Sequence, residues 1–134
     1  LFPDDKKRPD FTIACWNGQF TAFDVSVVSP FTSSNLGKAA GNIGAHLNFA
    51  AIKKEEKYSE ELSVLGAGFI PLIFDALGGF HDSAVSWAKK VALLKSIRRG
   101  TSFSTEKEHL IERISVSLAK YLGFMIVSRA PEPT

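Results

Sequence analysis

The chain has 134 residues, enough for one domain built on a single core. Hydrophobic residues make up 45%, which excludes a disordered chain. The formal net charge of +2 is too small to define a nucleic-acid partner, so any such role must rest on local clustering of the charge.

Leu1 to Pro9 is a charged, proline-containing lead-in, too charged for a signal peptide. The start is abrupt, and 1–134 reads as one domain excised from a larger protein. Phe11–Trp16 and Phe20–Ser29 are rich in aromatic and β-branched residues and read as strands. Asn17-Gly18 between them is a hairpin signal. Cys15, the single cysteine, excludes an internal disulfide and points to a reducing intracellular compartment, nuclear or cytoplasmic. Its place in an apolar strand predicts a buried small hydrophobe.

Pro30 ends the second strand, and Phe31–Asn35 reads as a turn or helix entry. Leu36 to Leu65 carries apolar residues at three- and four-residue intervals and predicts a long helix. Gly37, Gly41 and Gly44 weaken its beginning, and KKEEKYSEEL charges its later half. Gly66-Ala67-Gly68 closes it. The continuous apolar run FIPLIFDAL reads as a buried strand of a parallel pair, broken by Gly78-Gly79. Ser83 to about Arg99 predicts a second helix stopped by Gly100. A third, capped by Ser104 or Thr105 with Glu108 behind it, runs to about Ser128. Its Leu110, Ile111, Ile114, Leu118, Leu122 and Met125 suit a core or an assembly face, and permit a homodimer. No apolar run is long enough to span a bilayer. The order β-β-α-β-α-α predicts an α/β domain: a β-hairpin plus a third strand returning parallel through a right-handed crossover helix.

Two carboxylates in the hairpin need an explanation. A two-residue Asn17-Gly18 loop pairs Trp16 with Gln19 and sends Asp10 and Asp24 to opposite faces. A three-residue loop pairs Trp16 with Phe20, sets Thr12 against Asp24 and Asp10 against Ser26, and places all four on one face. Phe11, Ile13, Cys15, Phe23, Val25 and Val27 then form an unbroken apolar face. The hydrophobic pattern favours this second register. Two such acids repel unless a cation sits between them. A hard divalent cation such as Mg²⁺ suits an oxygen cluster of this kind.

Pro9-Asp10, the FDVSVVSP strand with Asp24, the lysine-bearing KKEEKY and the strand FIPLIFDALGG together resemble the PD-(D/E)XK nuclease superfamily. Within it, they resemble the restriction-endonuclease-like domains found beside retroelement reverse transcriptases. The resemblance covers roughly Arg8 to Phe80. It implies a Mg²⁺- or Mn²⁺-dependent endonuclease that hydrolyses DNA for a mobile element, with a restriction-endonuclease-like core and additional C-terminal helices. Asp10 and Asp24 would be the metal ligands, with the carbonyl of Val25 as a third. The family motif usually places a lysine two residues after the second acid, where this chain has Ser26. In the retroelement variants the following helix supplies it, which makes Lys54 or Lys57 the candidate, with Tyr58 orienting a phosphate or the lysine. That fold also places a helix and a strand ahead of the first acid, and only nine residues precede Asp10 here. The sheet edge would then lie open to a second copy or to the parent protein.

Other residues are less specific. His46, His81 and His109 lack a metal-ligand spacing and read as structural. Asp75, ending the third strand, could be a site acid or a plain strand-end cap. Lys89, Lys90, Lys95, Arg98 and Arg99 form a basic face that could track a DNA backbone, or simply be solvated. Trp16 and Trp87 suit packing better than base stacking. The alternative function is a catalytically inactive relative that binds nucleic acid or a protein. A further alternative is a structural module whose acids are surface caps.

Overall fold

The computed structural model describes residues 9–29 and 44–129. Within them the protein is an α/β arrangement of a three-stranded mixed sheet and three helices. Strands β1 (Phe11–Trp16) and β2 (Gln19–Val28) form the antiparallel hairpin. Helix α1 (Ala45–Val64) crosses over to β3 (Gly68–Asp75), which pairs parallel with β2 from Thr21↔Gly68 to Val28↔Asp75. Helices α2 (Asp82–Arg99) and α3 (Phe103–Arg129) follow.

The hairpin turn corrects the predicted loop and keeps the predicted faces. Asn17 and Gly18 both take positive φ, 52° and 78°, as a two-residue turn of this hand requires. Trp16 pairs with Gln19, but Ile13 pairs with Thr21 and Phe11 with Phe23. One extra residue therefore sits in β1 at Ala14-Cys15, a β-bulge. The bulge restores the parity that a two-residue loop alone would lose. It also exchanges Cys15 for Trp16 on the core face: Trp16 is buried and Cys15 is exposed. The expectation of a buried Cys15 is therefore wrong, because the pattern of alternation breaks at the bulge. Native protein should react fully with a thiol reagent such as DTNB without denaturant, and Cys15→Ser should shift the melting midpoint little. A thiol that titrates only after unfolding would contradict this placement.

Helices cover both faces of the sheet. Even-numbered β2 residues look toward α1, where Ala22 packs with Tyr58 and Leu62, and Ile73 of β3 packs with Leu47 and Ala51. Phe23, Leu72 and Phe74 look the other way and join Trp16, Ala84 and Leu118 in the main core. Pro71 sits inside β3 without cost to the ladder. Its carbonyl accepts from Ser83 Oγ (2.5 Å) on the edge away from β2, so its missing N–H falls on that outer edge.

Helix boundaries follow local chemistry. Gly44 has φ 80°, which a helix interior does not accommodate, so α1 begins at Ala45 rather than Leu36. The Leu36–Ile43 part of that expectation, and the turn at Phe31–Asn35, lie outside the described residues. Gly66 (φ 71°) closes α1 and Gly100 (φ 67°) closes α2. α3 starts one turn earlier than the predicted Ser104 or Thr105 cap. Ser102 Oγ accepts from Thr105 N (3.1 Å), and Glu106 rather than Glu108 turns back, accepting from Thr101 Oγ1 at 2.8 Å. Leu118 is buried, whereas Phe124, Ile126 and Val127 beyond it are 69%, 62% and 75% exposed. No helix among the described residues is long and apolar enough to cross a membrane.

Candidate active site

Asp24 lies in the middle of β2 on the face that α1 covers, opposite Pro71 of β3. It is 4% exposed. A carboxylate buried this far needs a positive or donating partner. Lys54, in the third turn of α1, supplies it: Nζ is 2.6 Å from Asp24 Oδ2. The Lys54 side chain is part-buried.

Asp10 stands just before β1. Continuing the Phe11↔Phe23 register by one step brings it level with Asp24. Its Oδ2 accepts from Val25 N at 2.6 Å. Both backbone groups of a strand residue leave on one edge. The Val25 carbonyl therefore emerges on the same edge as the Asp10 carboxylate, while the Asp24 side chain rises toward Lys54. The expected pairs of Thr12 with Asp24 and Asp10 with Ser26 do not form, because the bulge sets Thr12 against Ala22; Asp10 instead comes level with Asp24 and bonds Val25 N.

The two candidate lysines separate. Lys54 meets Asp24, whereas Lys57 is exposed with its ammonium over the Tyr58 ring, 5.0 Å from the centroid. Tyr58 is 2% exposed and packs with Ala22, Leu62 and Ala67, its ring 5.1 Å from that of Phe69. Tyr58 thus stands beside Lys57 with its ring in the small core under α1.

Fit to a divalent cation can be judged from the donors. Two carboxylates and one carbonyl are hard oxygen ligands of the kind Mg²⁺ and Mn²⁺ take. Among the described residues, no group of three or more His, Cys, Asp or Glu gathers at one point.

The basic residues of α2 do not form one face toward this site. α2 lies across the sheet from α1. Lys90 is hydrogen-bonded to Asn17 Oδ1 and lies over the Trp16 ring, 4.3 Å from its centroid. Trp16 is thereby covered on one side by Lys90 and by Phe23 on another, and offers no face to a base. Lys95 and Arg99 line a groove against α3, while Lys89 and Arg98 are exposed outside it.

A second polar cluster was not assembled from the sequence. His46 Nε2 donates to Asp75 Oδ2 at 2.5 Å, and Asp75 Oδ1 accepts from Leu77 N at 2.7 Å. His81 Nε2 donates to Asn48 Oδ1 at 2.9 Å, and its Nδ1 accepts from Ser83 N, capping α2. These contacts tie the start of α1 to the carboxyl end of β3 and the start of α2. Asp75 bonds Leu77 N as a strand-end cap does, and its other oxygen pairs with the buried His46. The pairing itself depends on the parallel register, which places Asp75 beside Val28 on the α1 face.

No protein-family model, curated protein or solved structure matches the chain.

Proposed function

We propose that this α/β domain is a metal-dependent endonuclease of restriction-endonuclease-like type acting on DNA. Asp10, Asp24 and the Val25 carbonyl would hold Mg²⁺ or Mn²⁺, and Lys54 would be the catalytic lysine. The observation that carries the reading is the ion pair of Lys54 with the buried Asp24, level with Asp10 when the β1–β2 register is continued one step. A bound divalent ion supplies Lewis-acid polarisation of a phosphodiester and a more acidic bound water.

The chain's own residues supply the rest. Asp24 holds the Lys54 ammonium beside the acids, where it donates to a water or to a phosphoryl oxygen. A fixed positive charge there favours the transition state, in which negative charge grows on the phosphate. Val25 N–H orients the Asp10 carboxylate through Oδ2, and that carboxylate would hold the cation. Burial of Asp24 lowers the local dielectric and strengthens each of these interactions.

Plasmid nicking tests the reading. Purified protein should convert supercoiled plasmid to the open circle with Mg²⁺ or Mn²⁺, and not with EDTA. Asp10→Ala and Asp24→Ala should each fall to background while keeping a native circular-dichroism spectrum. Folded wild-type protein that leaves both the plasmid and a circular single-stranded DNA intact with either metal, in a version extended at the N-terminus as well, would refute it.

A further inference from the structure

Two grooves on the α2–α3 side of the sheet share their lining. One, of about 560 Å³, runs between α2 and α3 and is edged by Lys95, Arg99, Arg113 and Lys120. Its acids are Glu106 and Glu112, and Glu106 is already engaged by Thr101 Oγ1 (2.8 Å) and Arg99 Nη1 (3.8 Å). Positive charge is therefore in excess along it. The second groove, of about 520 Å³, is mainly apolar, with Phe11, Val25 and Tyr121 in its walls. Lys95, Leu110, Arg113 and Ser117 line both, so the two form one continuous channel.

The apolar end of this channel reaches the strand edge where Val25 N meets Asp10, on the sheet face opposite Asp24 and Lys54. Val25 is 40% exposed in its wall, and the backbone N–H of Val25 is the group that holds Asp10. The pairing of β1 with β2 runs no further than Phe11↔Phe23 among the described residues, so this part of β2 is not covered by β1. A chain of cations thus leads to an apolar and aromatic trough, and the trough ends at the Asp10 edge of the sheet. This is the composition that holds unpaired nucleic acid: charges for the backbone and apolar or aromatic walls for exposed base faces. A duplex keeps its base faces stacked inside and has nothing to place in the trough.

We infer that the channel binds single-stranded DNA, which runs from the Lys95–Arg113 groove over Tyr121 and Val25 to the Asp10 edge. The inference deepens the nuclease reading by naming the form of the substrate and its path, and it rests on that reading only for what happens at the end of the path.

Binding is measured without cleavage, by fluorescence anisotropy of a fluorescein-labelled oligothymidylate in EDTA. Wild-type protein should bind it more tightly than a duplex of equal length. Lys95→Ala with Arg113→Ala should weaken binding at least about tenfold and flatten the log–log salt dependence by roughly 0.7 per lost phosphate contact. Lys89→Ala, outside the channel, should leave affinity unchanged, and thermal melts should coincide for all proteins. Absent binding, a preference for duplex, or equal affinity in the double variant would each overturn the inference. Loss in the double variant without any nicking by wild-type would leave the channel standing and remove the nuclease. Nicking with an unaffected double variant would do the reverse.

Discussion

Replacing Phe23 by alanine is expected to cost about 3–5 kcal/mol, the range for removing a fully buried aromatic side chain. Phe23 has no exposed surface and sits where the sheet meets α2 and α3. Its ring stacks on Phe11 (4.9 Å, 8°) and meets Trp16 edge-on (5.4 Å, 88°). Such pairs add about 0.5–1.5 kcal/mol beyond area burial. Whole domains of this size have about 5–15 kcal/mol in total, so the variant should unfold at far lower urea than wild-type, if it folds at all. Phe23→Leu keeps most of the volume and should cost clearly less. A urea midpoint for Phe23→Ala close to wild-type would mean that the hairpin does not pack as described. The same substitution bears on the site, because Phe23 and Asp24 are neighbours pointing to opposite faces. The residue that anchors the strand thereby sets the height of the carboxylate.

Lys54→Met is expected to lower metal-dependent nicking at least about 100-fold, the usual effect of removing one fixed donor from a developing oxyanion. Lys57→Met should stay within a few-fold of wild-type. The two positions are three residues apart and both follow the second acid, yet only Lys54 reaches Asp24. Lys57 spends its charge over the outer side of Tyr58. Lys54→Met also strands a buried carboxylate, which should cost roughly 1–3 kcal/mol, so rates must be compared where circular dichroism shows both variants folded. Equal losses at the two positions, or a loss at Lys57 alone, would assign the lysine wrongly.

The hairpin was readable because its two aspartates interrupt an otherwise apolar alternation, and alternation constrains register strongly when one face is buried. The constraint acts on parity, however, and not on the means of achieving it. A three-residue loop and a two-residue loop with a bulge give the same faces, and the sequence pattern cannot separate them. The choice fell to the bulge at Ala14-Cys15, which exposed Cys15 and buried Trp16. The parallel strand was readable from its length and unbroken apolarity. The cap of α3 was not, because Ser102, Ser104 and Thr105 are chemically equivalent candidates and packing of Glu106 decides among them.

Within the site, residue types were legible and partners were not. Lys54 and Lys57 share a helical face in outline, and only the docking angle of α1 on the sheet separates them. In the sequence the five basic residues of α2 form a single basic run. They divide because a helix of that length turns its charges to several sides, one of which meets the hairpin turn at Asn17 and another α3. The His46–Asp75 pair joins residues 29 apart in sequence, and no local pattern announces such a contact.

The most direct test of the central claim is Mn²⁺ binding, read as loss of the free-ion electron paramagnetic resonance signal on adding protein. The account predicts saturable binding by wild-type protein, with Asp10→Asn and Asp24→Asn each weakening it at least about tenfold and Lys57→Met leaving it unchanged. A free-ion signal that wild-type protein leaves intact, or binding that survives both asparagine substitutions, would contradict it.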